Sequence, residues 1–231
     1  MHRTRVKICG LSREPDVQAA AALGADAVGF VCFAGSPRFV EPGRLAALAR
    51  IVPPFVTPVL LFVDAGRAQV QEALGAVPQA LLQFHGSESP EFCGSFGRPY
   101  LRAVAVADGV DLLECEAAFA GAAALLADTP ADAFADGSPA VFGGTGRTFA
   151  WERLPASDRR RLPLILAGGL RADNVAAAIS AARPYAVDVS SGVESSRGIK
   201  SVERMRDFLA AVRAADARAA ADLDAVQGGA A

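Results

Sequence analysis

The sequence predicts a single (β/α)8 TIM barrel. Three observations predict it: eight short apolar runs alternate with segments of helical spacing, the length suits one such barrel, and polar or glycine residues recur at one end of the runs. At 231 residues the chain falls between the typical size of this architecture, ~250 residues, and its lower end near ~200. Hydrophobic residues make up 52% and charged residues 21%, which excludes a disordered chain and supplies enough apolar surface for an inner core and an outer layer.

Taken in order, the strand candidates are VKIC at 6–9, AVGFV at 27–31, TPVLLFV at 57–63, ALLQF at 80–84, YLRAVAV at 100–106, AALLA at 123–127, PLILA at 163–167 and YAVDV at 185–189. Most are continuous rather than alternating, as expected of parallel strands covered on both faces. Helical spacing marks 12–23, 42–51, 66–76, 88–95, 110–119, 149–161, 171–182 and 201–214. Ser12 precedes Arg13, Glu14 and Pro15 as a helix-start signal, and Asp173 and Asn174 head an alanine-rich helix. The expected organisation is a barrel over 1–213 and an alanine-rich tail over 214–231 that extends the last helix or frays. A doubly wound sheet would place its glycine-rich loop after the first strand, whereas here glycines recur at several strand ends.

Composition also excludes partners. The formal charge is −2 and basic residues are interspersed with acidic ones, so no phosphate-neutralising stripe marks a nucleic acid. The longest apolar run, AAFAGAAALLA at 117–127, is too short to cross a bilayer, and no apolar block follows the first basic residues. A cytoplasmic protein is expected, acting on a small molecule, and a monomer is the default. The four cysteines are scattered without a CxxC pair, which argues for free thiols and against a metal site or a disulfide framework.

In a barrel the carboxyl ends of the strands converge on one pocket. Strand one delivers Lys7 and Cys9, which point the same way because they are two apart, followed by Gly10. An ammonium beside a thiol favours thiolate, so Cys9 is a candidate base or nucleophile, against the plainer reading of a small buried hydrophobe. Asp128 directly follows an apolar run, where a carboxyl must pair or act; a turn aspartate is the alternative. Arg38, in the loop after strand two, offers a planar fork for a carboxylate or else forms a salt bridge. His85 ends strand four, to orient a neighbouring group or move a proton, and both it and Lys7 are expected among the substrate-binding residues. Three glycine-bearing loops lie on strands six to eight: GGTG with Gly144 and Gly146, AGGL with Gly168 and Gly169, and SSGVE with Ser190, Ser191 and Gly192. The loops after strands seven and eight are the usual phosphate position of the fold, which points to a phosphorylated small molecule, with tight turns as the bland reading. Arg38 on strand two and these loops on strands six to eight are expected on opposite sides of the mouth.

KICGL at 7–11, GFVCFAGSPRFV at 29–40, LQFHGSES at 82–89, LLADT at 125–129, FGGTGRTFAW at 142–151, LAGGLRADNV at 166–175 and VDVSSGVESSRGIKS at 187–201 together resemble the phosphoribosylanthranilate isomerase family of tryptophan biosynthesis. The resemblance spans about 5 to 212. It implies a (β/α)8 barrel that converts N-(5-phosphoribosyl)anthranilate into 1-(2-carboxyphenylamino)-1-deoxyribulose 5-phosphate by an Amadori rearrangement, without metal or organic cofactor. It further implies Asp128 as general acid, Cys9 as general base, Arg38 on the anthranilate carboxylate, and the glycine loops on the phosphate. Two rivals stay open: a silent barrel that only binds a phosphosugar, and an isomerase of the related histidine-pathway ribotide, in which an aspartate is expected where Cys9 stands.

Overall fold

A computed structural model describes residues 3–107, 109–130 and 148–228. Eight parallel strands close into a barrel in sequence order. The strands are β1 (Arg5–Cys9), β2 (Ala27–Val31), β3 (Thr57–Phe62), β4 (Leu81–Phe84), β5 (Tyr100–Ala105), β6 (Ala124–Asp128), β7 (Leu164–Leu166) and β8 (Ala186–Val189). Each coincides with a predicted apolar run to within two residues. The helices are α1 (Glu14–Leu23), α2 (Pro42–Arg50), α3 (Arg67–Ala76), α4 (Pro90–Gly94), α5 (Leu112–Ala118), α6 (Val175–Ala182) and α7 (Val202–Gly228), and a hairpin of β9 (Glu194–Ser196) and β10 (Ile199–Lys200) precedes the last of them.

The continuous apolar strands serve two cores at once. Residues facing inward, among them Val59, Leu101, Leu126 and Ile165, fill the barrel. Those facing outward, such as Ile8, Phe30, Leu60, Phe84 and Val187, pack on Val17, Leu45, Val70, Ile179 and Phe208 of the surrounding helices. Fully burying one such side chain stabilises by about 1.5–3 kcal/mol, so neither face of a strand tolerates a run of polar residues.

Local signals explain several differences from the predicted elements. The segment 149–161 is not one helix: it forms short 3-10 turns at Trp151–Arg153 and Ser157–Arg159. Pro155 lies between them, lacking an N–H and disfavouring helical geometry at Leu154. The first helix is entered from Arg13 rather than Ser12, with Pro15 in its first turn and Arg13 paired to Asp16 at 2.9 and 2.6 Å. Helix α7 runs through most of the tail to Gly228. Among the described residues no helix is long and apolar enough to cross a membrane.

The start of that tail belongs to the barrel's packing. Ala215 is buried, and Asp216 accepts from the backbone N–H of Thr4 at 2.8 Å and from its hydroxyl at 2.7 Å, tying α7 to the entry of β1. A hydrogen bond to a charged group contributes about 1.5–3 kcal/mol. We expect Asp216→Ala to lower stability by about that amount in urea unfolding, an effect a frayed tail would not show.

Candidate active site

One cleft opens at the carboxyl ends of the strands, and Cys9, Arg38, His85, Asp128, Gly168, Gly169 and Ser190 to Gly192 all line it. Cys9 ends β1, opposite Gly29 of β2. A Cβ at Gly29 would stand 2.8 Å from the Cys9 sulfur and 3.2 Å from Lys7 Cε, so the bare glycine makes room for both side chains inside the barrel. Lys7 does not reach the cleft lining. Its ammonium is buried one layer below, on Asp188 of β8 at 2.9 Å. Burial pulls that ammonium down, but Asp188 and Cys9 outweigh it, and Lys7 stays charged well above its usual range. Lys7 favours the thiolate of Cys9 by charge and hydrogen bonding, but burial is the larger effect and, with Asp188, pushes Cys9 up against the pull of Lys7 and Lys200. The other cysteines, Cys32, Cys93 and Cys115, are free thiols among apolar neighbours, as expected.

Asp128 closes β6 with its side chain in the cleft. Its Oδ1 accepts from the backbone N–H of Thr129 at 2.8 Å, and its Oδ2 lies 3.2 Å from His85 Nε2. The other ring nitrogen of His85 is 3.2 Å from Nε2 of Gln83, which is buried on β4. His85 and Asp128 thus act on one another, and the loop that carries His85 is braced by Arg102 of β5, which donates to Gly86 O at 2.7 Å and to Glu88 at 3.0 Å.

Arg38 is buried, and its Nε and one terminal nitrogen donate to the two carboxylate oxygens of Glu194 at 2.7 and 2.9 Å. Lys200 holds the same carboxylate at 2.8 Å and donates to the carbonyl of Ser190 at 3.0 Å. Arg38 therefore does not stand across the mouth from the glycine loops. Glu194 draws it toward the β8 side, where a Cβ at Gly10 would meet Arg38 Cδ at 2.4 Å and Ser190 Oγ at 3.2 Å. Its Nη1 has no hydrogen-bond acceptor among the described residues, so one edge of the guanidinium remains to receive an anion.

Glycines on the β7 and β8 loops are required by close approach. Gly168 and Gly169 adopt φ of 83° and 59°. A Cβ on Gly168 would meet Thr129 Oγ1 at 2.1 Å, and one on Gly192 would meet the carbonyl of Leu170 at 1.9 Å. Asn174 fixes the first loop by donating to Gly169 O at 3.0 Å. After β8 a 3-10 turn begins at Ser191. Among the described residues the N–H groups of Gly168, Gly169, Ser191 and Gly192 donate no hydrogen bond, leaving them open to an anion. Gly144 and Gly146 lie outside the described residues. Among the described residues no cluster of potential metal ligands forms.

The sequence pattern of N-(5'-phosphoribosyl)anthranilate isomerases matches residues 6–211. The chain belongs to that family. It is 52% identical to the N-(5'-phosphoribosyl)anthranilate isomerase of Methylibium petroleiphilum, over 95% of this chain and 98% of the relative, and 50% identical to that of Pseudomonas aeruginosa strain UCBPP-PA14, over 92% and 97%. The crystal structure of phosphoribosyl anthranilate isomerase from Thermotoga maritima superposes with a TM-score of 0.81 at 34% identity, covering 91% of this chain and 99% of that one. A structure of such an isomerase in complex with reduced 1-(o-carboxyphenylamino)-1-deoxyribulose 5-phosphate matches with a TM-score of 0.77 at 32% identity, with the same coverage.

Four residues of this site were not singled out as functional from the sequence: Gln83, Asp188, Glu194 and Lys200. Asp188 carried a usable signal, a carboxylate at an inward position of an apolar strand; Gln83 carried the same kind of signal two residues before His85. Glu194 offers a measurable consequence. Burial alone would raise its carboxyl, yet the hydrogen bonds and charges of Arg38 and Lys200 hold it below the ordinary value of 4.5. Its contribution to stability is present above that unfolded-state value and is lost as pH falls through the lower folded one. We expect thermal unfolding of the native protein to lose stability below about pH 4.5, and Glu194→Gln, lower in stability at neutral pH, to show less of that acid dependence.

Proposed function

We propose that this barrel isomerises N-(5'-phosphoribosyl)anthranilate to 1-(2-carboxyphenylamino)-1-deoxyribulose 5-phosphate in tryptophan biosynthesis. The observation that carries the reading is that Cys9 and Asp128 line one cleft with an anion-ready set of N–H groups and an open edge of Arg38. The substrate has a phosphate, a pentose and an aryl carboxylate in that order. The open N–H groups of the β7 and β8 loops take the phosphate, and Arg38 takes the carboxylate through the guanidinium edge that Glu194 leaves open. Guanidinium has five donors, so one Arg can serve both. The aromatic ring packs on the apolar wall of Val31, Phe33, Leu61 and Val63 beside Cys9.

At the pentose, Asp128 donates a proton to the ribose ring oxygen as the C1–O bond breaks and the nitrogen lone pair forms C1=N, giving an open-chain protonated imine. Cys9, as thiolate, then takes the proton from C2, and the electrons of the C2–H bond form the C1–C2 double bond of an enolamine as the C=N pair returns to nitrogen. Tautomerisation of the enol to the ketone completes the rearrangement with no net gain or loss of protons. Lys7 is a positioning residue, since its ammonium contacts Asp188 beneath the cleft. All of these groups come from one chain, which supports a monomer as the working unit, and the free thiols suit the reducing cytoplasm.

A general acid or base typically contributes ~10²–10⁴ in rate. Cys9→Ala and Asp128→Asn are each expected to lose turnover by about that factor while keeping a native circular-dichroism spectrum, as followed by the disappearance of anthranilate fluorescence from the substrate. Near-normal turnover in either variant removes the role given to that residue, and conversion of the histidine-pathway ribotide supplied in parallel would favour the rival isomerase.

A further inference from the structure

Behind Asp128 and His85 stands a side chain with no part in the reaction as described. Gln83 is fully buried on β4, and its position two residues before His85 turns both side chains into the barrel. Its Nε2 lies 3.2 Å from His85 Nδ1, and His85 Nε2 lies 3.2 Å from Asp128 Oδ2. An amide nitrogen only donates, so Nδ1 must accept. The single proton of the neutral ring then sits on Nε2, aimed at the carboxylate. The opposite assignment, with the amide oxygen toward Nδ1, puts the proton there and faces the Nε2 lone pair at Asp128, which is repulsive toward the carboxylate that remains once Asp128 has given up its proton. Gln83 Oε1 is buried with no hydrogen-bond partner among the described residues, so the contact with His85 is what orients the amide.

We propose that Gln83 is a positioning residue that holds His85 in its Nε2–H tautomer and so provides Asp128 with a fixed hydrogen-bond donor for the carboxylate left after it gives up its proton. The kinetic half of this inference rests on the reading of Asp128 as general acid; the tautomer does not. A donor aimed at that carboxylate favours completed proton delivery, which is a kcat effect, whereas neither Gln83 nor His85 meets the substrate's charged ends.

The chain has two histidines, so 15N-histidine-labelled protein carrying His2→Ala reports on His85 alone. Long-range 1H–15N spectra at neutral pH are expected to show a protonated Nε2 and an unprotonated Nδ1. Gln83→Glu, the same size but acceptor only, is expected to protonate Nδ1; Gln83→Met, which neither donates nor accepts strongly, is expected to weaken the preference for the Nε2–H tautomer and shift the His85 15N resonances. In both variants kcat should fall about tenfold with KM within about twofold, the low end of what outer partners of a functional imidazole contribute. A proton on Nδ1 in the parent protein, or an unaltered His85 spectrum in both variants, overturns the inference even if the protein turned over a different substrate. A shifted tautomer with unchanged kcat overturns its kinetic half and leaves the reading of Asp128 to its own substitution.

Discussion

The barrel closes where β1 meets β8, and at that seam Lys7 and Asp188 are register partners joined at 2.9 Å. Taking each charge out of water costs several kcal/mol, and only close pairing offsets it. Removing one partner of such a pair leaves an uncompensated buried charge, typically about 3–5 kcal/mol. The pair therefore constrains everything one layer above it. Cys9 follows Lys7 by two residues on β1 and Ser190 follows Asp188 by two on β8, so the thiol and the first residue of the β8 loop are carried to the cleft on the two strands this ion pair holds in register.

A second buried cluster repeats the logic at the rim. Glu194 is held by both Arg38 and Lys200, and Lys200 also grips the carbonyl of Ser190. The chain's two lysines, Lys7 and Lys200, are both used in this way, on buried carboxylates beside the cleft, while its other basic residues are arginine. A compact ammonium fits these positions with little surrounding space. The consequence for binding is that the mouth is not a bare positive patch. Its cations are largely matched, and an anionic ligand meets oriented N–H dipoles and the remaining edge of one guanidinium. Such a site selects by geometry more than by net charge.

What the sequence made legible follows from what is local. Each of the eight strands is a mostly apolar run, and burial on both faces writes itself into consecutive positions. Cys9, Asp128, His85 and the β7 and β8 glycines were visible because strand ends are easily counted and the fold sends them to one place. Partnerships between distant segments were not visible. Nothing near Arg38 announces that Glu194, 156 residues later, occupies its fork. The same holds for Lys7, whose influence on Cys9 depends on Asp188, 181 residues away. The helix expected over 149–161 failed for a local reason instead, since Pro155 outweighs the apolar spacing on either side.

The seam also bears on why a thiol, rather than a carboxylate, stands at the end of β1. Cys9 is buried, it lies above Asp188, and the nearest cation is already engaged by that aspartate. A carboxylate at this position would be ionised at rest and would place a second buried anion beside Asp188 without a counter-ion of its own, a standing cost in the folded protein. The thiol avoids that cost because burial and Asp188 keep it protonated and neutral at rest. The thiolate that the proposed base role requires forms by loss of that proton, and Lys7 and Lys200 are the cations that favour it. The electrostatics beneath the cleft thus suit a side chain that rests neutral, and distinguish this mouth from one built around a permanently charged residue at the same strand end.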